Sequence, residues 1–176
     1  MFQKSKLSNN IRLVAIPAPA TKAATILILY RVGSRYEPQK LAGVSHYIEH
    51  MMFKGTKKRP NTLDISRELD QVGAEYNAFT GKDLTGYWIK VAGDDFPLAL
   101  DIVSDMLQNS KFDKTEFGRE LKVILEEIHM YRDNPMMHIE DLFEDALFAD
   151  STLGRNIAGT DATMKGITHE GMLGYV

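Results

Sequence analysis

An α+β fold, a mixed β-sheet with helices packed largely on one face, is the class this sequence predicts. Three observations lead there. Two β-favouring segments precede the first helical pattern, an alternating stretch returns in mid-chain, and three long helical patterns follow. At 176 residues, 44% hydrophobic and 26% charged, the chain suffices for one sizeable core and reads as a single domain over 1–176.

Each element has a local reason. Leu7 to Ile16 sets Asn9 and Asn10 ahead of an apolar alternation, and Ala24 to Val32 is dense in β-favouring residues, so two strands open the fold. Gly33 and Ser34 end the second. From Gly43 the period becomes helical, with Val44, Ile48, Met51 and Met52 facing a core and His46, Glu49 and His50 on the other side. Thr62 to Val72 reads as an amphipathic helix with Leu63, Ile65, Leu69 and Val72 inward and Gly73 as its C-terminal cap. Glu75 to Val91 alternates as strands around the interruption Gly81-Lys82-Asp83, and Trp88 within it reads as core. Helical patterns then run from Pro97 to Ser110, from Asp113 to Arg132 and from Met136 to Ala149. Asp113 and Glu116 form a capping-box-like start, and Pro135 marks a boundary. Ile167 to Val176 looks like the opening of one more helix.

Composition excludes some functions. A net charge of -3 gives no electrostatic reason to expect nucleic acid or an anionic membrane, and the basic cluster Lys54, Lys57, Lys58, Arg59 reads as a solvated loop. With no cysteine, disulfides and thiolate ligation are impossible, so any metal must sit on His and carboxylate. The first ten residues lack an apolar signal-like region and the run Ala23 to Tyr30 is too short to span a bilayer, so a soluble cytoplasmic chain is expected.

His46-Tyr47-Ile48-Glu49-His50 carries the chemistry. Residues four apart share a helix face, so both imidazoles can reach one ion at about 2.0–2.1 Å. Glu49 lies about 100° from His50 around the helix, beside that ion and free to take a proton from a water the ion activates. This is the inverted order of H-E-x-x-H. The motif alone also fits a solvated His pair. A catalytic zinc commonly takes three protein ligands, and the 113–132 helix offers Glu116, Glu120, Glu126 and Glu127. Glu120 and Glu127 are two turns apart on one face, beside Leu121, Ile124, Leu125 and Ile128. Buried carboxylates demand a partner, which a cation between the two helices would provide. Spacing does not separate Glu126 from Glu127, and an exposed acidic helix is the competing reading. His129, His138 and His169 fit surface or hydrogen-bonded roles.

The motif His46 to Thr56, then Gly73-Ala74, Asn77 to Thr80, Val123 to Ile128 and Leu153-Gly154-Arg155 together resemble the pitrilysin/insulinase family of inverted-motif zinc metallopeptidases. The nearest flavour is bacterial relatives of the mitochondrial processing peptidase β subunit. The resemblance implies a zinc endopeptidase with Zn²⁺ on His46, His50 and Glu127, Glu49 as general base, and Glu120 supporting the site. It implies that Asn77, Ala78, Phe79 and Thr80 form an edge strand on which peptides add as an extra strand, with Phe53 and Phe79 near the cleaved bond. Members normally continue into a longer N-terminal domain and a homologous C-terminal one, so the chain is expected to be an N-terminal peptidase domain truncated at its C-terminal end. It would then need a homologous domain or partner subunit, be poorly active alone, and leave homodimerisation open. Met137 and Asp141 align with an acidic pair that reads arginine in the mitochondrial enzymes, so an arginine requirement does not follow. The competing reading is a non-catalytic, metal-stabilised half or assembly subunit that needs a partner chain.

Overall fold

The structure, a computed structural model, describes residues 2–149 and 151–176. A hairpin of β1 (Gln3–Lys6) and β2 (Arg12–Ala15) comes first; the strand expected over 7–16 is shortened to β2, its first residues form the turn, and β1 precedes it where no strand was expected. Asn10 takes a left-handed φ of 72°, which asparagine tolerates, and Leu7 N–H donates to the Ile11 carbonyl across the turn. A three-stranded sheet follows in the order β3 (Ala23–Tyr30), β5 (Thr85–Ala92), β4 (Glu75–Thr80). The α+β class holds, but the pairings are antiparallel throughout and not mixed.

The helices are α1 (Val44–Met52), α2 (Thr62–Gln71), α3 (Phe96–Asn109), α4 (Lys114–Asp133), α5 (Pro135–Leu147), α6 (Asp161–Gly166) and α7 (His169–Leu173). The short α6 gave no apolar period to read. Its start is a hydroxyl box between Thr160 and Thr163. Asp113 caps α4 by accepting from the Thr115 and Glu116 N–H groups, while the Glu116 side chain pairs with Arg119 instead of closing a box.

One sheet face is covered. Ile26 and Ile28 of β3 and Tyr87, Ile89 and Val91 of β5 join α3 in the core, β4 packs on α1 through Tyr76 and Ala78, and Val44, Tyr47, Met51, Ile102, Val103 and Met106 complete the core. The period-2 rule sends Leu27, Leu29 and Trp88 to the other face, so Trp88 is half-buried outside the core. Leu63, expected inward, is 60% exposed. It falls on the first turn of α2, whose buried positions are Ile65 and Leu69.

The segment after α1 is only in part a solvated loop: Lys57 and Lys58 are exposed, but Lys54 and Arg59 turn inward. Arg59 is 2% exposed, and its guanidinium donates to Asp105 (3.0 Å), Asp101 (2.7 Å) and Glu68 (2.7 Å). Gly55 turns the chain there at φ +113°, and a Cβ on it would stand 2.4 Å from the Pro60 carbonyl oxygen.

Candidate active site

The site lies where α1 crosses α4. Gly43 enters α1 at φ +96°, pressed so closely on the Ala158 carbonyl that a Cβ would not fit. It offers no side chain to cap the helix. Glu37 does so from a distance, its two carboxylate oxygens accepting from the N–H groups of Gly43 (2.6 Å) and Ser45 (2.8 Å). Burial nevertheless pushes the Glu37 carboxyl up. Tyr47 then fixes α1 on α4: its ring stacks on Phe117 at 4.6 Å and its hydroxyl donates to the Phe117 carbonyl at 2.5 Å. Phe117, Glu120, Ile124 and Ile128 are the buried positions of α4, so this helix turns its Glu120 side toward α1.

Three side chains then converge. His46 Nε2 and His50 Nε2 are 3.3 Å apart, and Glu127 Oε2 is 3.4 Å from the second and 3.7 Å from the first. Neighbouring ligand atoms around tetrahedral zinc, with bonds of about 2.0–2.1 Å, stand about 3.3–3.4 Å apart. The triangle is therefore of the size a zinc ion requires, and its two imidazoles and one carboxylate are a donor set zinc accepts. Glu126, the alternative that spacing left open, is exposed.

Electrostatics point the same way. Burial, reinforced by the charge on His50, lowers His46 to about 4 and keeps it neutral. Burial also works against a charged His50, but hydrogen bonds to Glu120 and Glu127 outweigh it and raise the group to about 9. A proton thus supplies the positive charge that two carboxylates demand, in the place a cation would take. Glu127 is held below the usual range, first by its bond with His50. Glu120, 5% exposed, stays ionised despite burial because His50 and Lys54 bond to it. His50 Nδ1 meets Glu120 Oε2 at 3.1 Å, which orients the ring with Nε2 toward His46 and Glu127.

Glu49 stands beside the triangle. Burial raises its carboxyl, opposed by the Thr80 hydroxyl, which donates to Glu49 Oε2 at 2.5 Å, and by His50. Thr80 ends β4, an edge strand among the described residues, so acid group and strand are physically joined.

A cleft of about 710 Å³ opens over these groups. Ala78, Phe79 and Thr80 line one side, Met136, Met137, Glu140, Asp141 and Glu144 of α5 the other, with Tyr131 of α4 nearby. Asn77 is exposed on the same strand but not in the cleft lining, and Phe79 turns to the outer sheet face, its ring over Gly86. Phe53 is not brought to the cleft either: it packs against the core, 6.5 Å from the Tyr87 ring. Lys82 ties the two walls, bonding Glu144 (2.5 Å) and the Leu153 carbonyl (2.5 Å). His129 and His169 bond Asp161 and the Phe112 carbonyl, away from the triangle.

Sequence reasoning missed Glu37, Lys54 and Lys82. Lys54 left a signal, since it follows His50 by four residues, and Glu37 stands only six residues before Gly43, close to the helix start it caps; the partners of Lys82 belong to the tertiary structure alone.

Fold and site together define a domain of the inverted-motif zinc-peptidase type, with a two-histidine helix laid against a glutamate helix. The chain belongs to the insulinase family, peptidase family M16, whose model matches residues 12–161. It is 43% identical over 166 residues to an uncharacterised zinc protease of Streptomyces coelicolor, covering 94% of this chain and 36% of that one. It is 40% identical over 164 residues to the mitochondrial-processing peptidase subunit beta of Dictyostelium discoideum, covering 93% and 35%. The crystal structure of a protease from Helicobacter pylori superposes with a TM-score of 0.93 at 23% identity, over 99% of this chain and 42% of that one, a likeness of fold. The chain thus spans well under half the length of these relatives. No described helix is long and apolar enough to cross a membrane.

Proposed function

We propose that this chain is the metal-holding part of a zinc endopeptidase that acts on extended peptides. The observation that carries the reading is the triangle of His46, His50 and Glu127 with Glu49 alongside. His46, His50 and Glu127 would hold Zn²⁺, which would supply Lewis acidity to a water and to the scissile carbonyl. Glu49 would take a proton from the attacking water and return it to the leaving amine, a role suited to a carboxyl whose acidity burial has weakened. Thr80 holds the Glu49 carboxylate while the β4 edge offers its unpaired backbone groups to a peptide, so the base and the bound strand keep a fixed relation. Asn77 and Phe79 face outward on that strand and would grade the peptide, whereas the packing of Phe53 supports a role in holding the core beneath it.

The remainder of the machinery belongs to a homologous second domain or partner subunit, because relatives are more than twice as long. The isolated chain is expected to cleave poorly. The intact zinc motif favours an enzyme over an assembly subunit. Metal content by mass spectrometry, with cleavage of a quenched peptide library with and without chelator, tests the reading. Near-stoichiometric zinc is expected, with any cleavage lost on chelation. Glu49→Gln should keep the zinc and abolish turnover; equal turnover in that variant would overturn the mechanism, and a zinc-free chain would overturn the site.

A further inference from the structure

Lys54 falls just beyond α1, in a stretch whose charge suggested nothing but solvation. Its side chain instead turns inward and is only 21% exposed. Its Nζ lies 2.6 Å from Glu120 Oε1, while the other oxygen of the same carboxylate, Oε2, lies 3.1 Å from His50 Nδ1. Each oxygen of Glu120 is therefore taken by a different donor, and both donors come from one helix end, four residues apart.

We propose that Lys54 is a positioning residue of the metal centre, acting through Glu120 to fix the ring of His50. This rests on the reading of His46, His50 and Glu127 as zinc ligands. A carboxylate held at one oxygen can still rotate; one held at both cannot. With Glu120 fixed, His50 keeps its N–H at Nδ1 and presents Nε2 at 3.3 Å from His46 Nε2 and 3.4 Å from Glu127 Oε2. Glu120 is 5% exposed, so without the ammonium its Oε1 would be buried with no donor and the carboxylate would turn to find one, loosening its hold on His50.

The backbone around Lys54 is built to hold it there. Its N–H donates to the Met51 carbonyl at 3.1 Å, and the favourable end of the α1 dipole accommodates the cation. Gly55 turns the chain immediately afterwards, and Thr56 N–H bonds the carbonyl of Arg59 at 2.7 Å, beside the buried Arg59 guanidinium. The Phe53-Lys54-Gly55-Thr56 run thus anchors the lysine from which the Glu120 carboxylate is held.

The test compares Lys54→Met, Lys54→Arg, Glu120→Gln and the double variant Lys54→Met with Glu120→Gln. Zinc affinity is read by competition with a chromophoric chelator, and the His50 Nδ1 proton by NMR on metal-free, ¹⁵N-labelled protein. Lys54→Met should lose roughly 10-fold or more in zinc affinity, the scale on which outer partners of a ligating histidine act. Lys54→Arg should restore most of it, and Lys54→Met should cost nothing further in the Glu120→Gln background. The downfield, slowly exchanging Nδ1 proton should persist in wild type and Lys54→Arg and vanish in Lys54→Met. Unchanged affinity with a retained Nδ1 signal in Lys54→Met, or an equal loss with and without Glu120, would overturn the proposal. A wild-type chain that takes no zinc would instead sink the metal reading, and the Nδ1 signal would still decide whether Lys54 orders His50.

Discussion

A histidine serves a metal well when its second nitrogen is already committed, and His50 meets that condition through Glu120. Glu127 meets another, since its Oε2 reaches both imidazoles while its neighbour Glu126 faces solvent. The two glutamates are adjacent and chemically identical, so the site makes a sharp prediction. Glu126→Ala should leave zinc affinity unchanged. Glu127→Ala should cost more than the roughly 10–100-fold associated with loss of an outer partner, as measured by chelator competition. Equal effects would mean that the triangle is not the metal site. What could be read from residue types was the His pair and the nearby acid. The choice between Glu126 and Glu127 could not be, because one residue's rotation on α4 matters only once the opposing surface is known.

At the scale of elements, α1 is held at its start by Glu37, in its middle by Tyr47 and at its end by the Gly55 turn. The first tie is the least expected, because it replaces a side-chain cap with a carboxylate from outside the helix. Glu37→Ala would strand two buried N–H groups at the entry to the helix. It should cost about 3 kcal/mol, at the common rate of about 1–3 kcal/mol for an unsatisfied buried group, measured by chemical denaturation. A loss within the surface range of about ±0.5 kcal/mol would mean that water or a shifted turn replaces the cap. Periodicity made α1, α2, α3, α4 and α5 legible within a few residues of their ends. It failed for α6, too short for a period, and for β1, which precedes the strand expected over 7–16; residues 7–11 of that stretch turn through a left-handed Asn10 and leave only β2 extended.

At the scale of the molecule, one sheet face is packed and the other shows Leu27 and Leu29, half-exposed at 50% and 52%. The active-site groups sit on the helical side, and a metal there would tie α1 to α4 across more than seventy residues of chain. Zinc at a hundredfold excess over its dissociation constant should add about 2.7 kcal/mol by mass action. For a chain of this size that corresponds to roughly 5–10 °C in melting temperature, lost on addition of chelator and visible by calorimetry. Identical melting with and without chelator would remove the ion as a tie between the helices. The sequence by itself determined what depends on neighbours along the chain: which faces are apolar, that His46 and His50 share one side of a helix, and that Glu120 and Glu127 lie two turns apart. Helix spacing left Glu126 and Glu127 open and the family resemblance pointed to Glu127, which the tertiary structure brings to the imidazoles; only the tertiary structure decided that Thr80 holds Glu49 and that Lys54 leaves solvent for Glu120. The reason is physical: helix period and side-chain direction follow from local sterics, whereas the rotation of one helix against another is set by non-local packing, here Tyr47 on Phe117 and the buried stripe of Ile124 and Ile128.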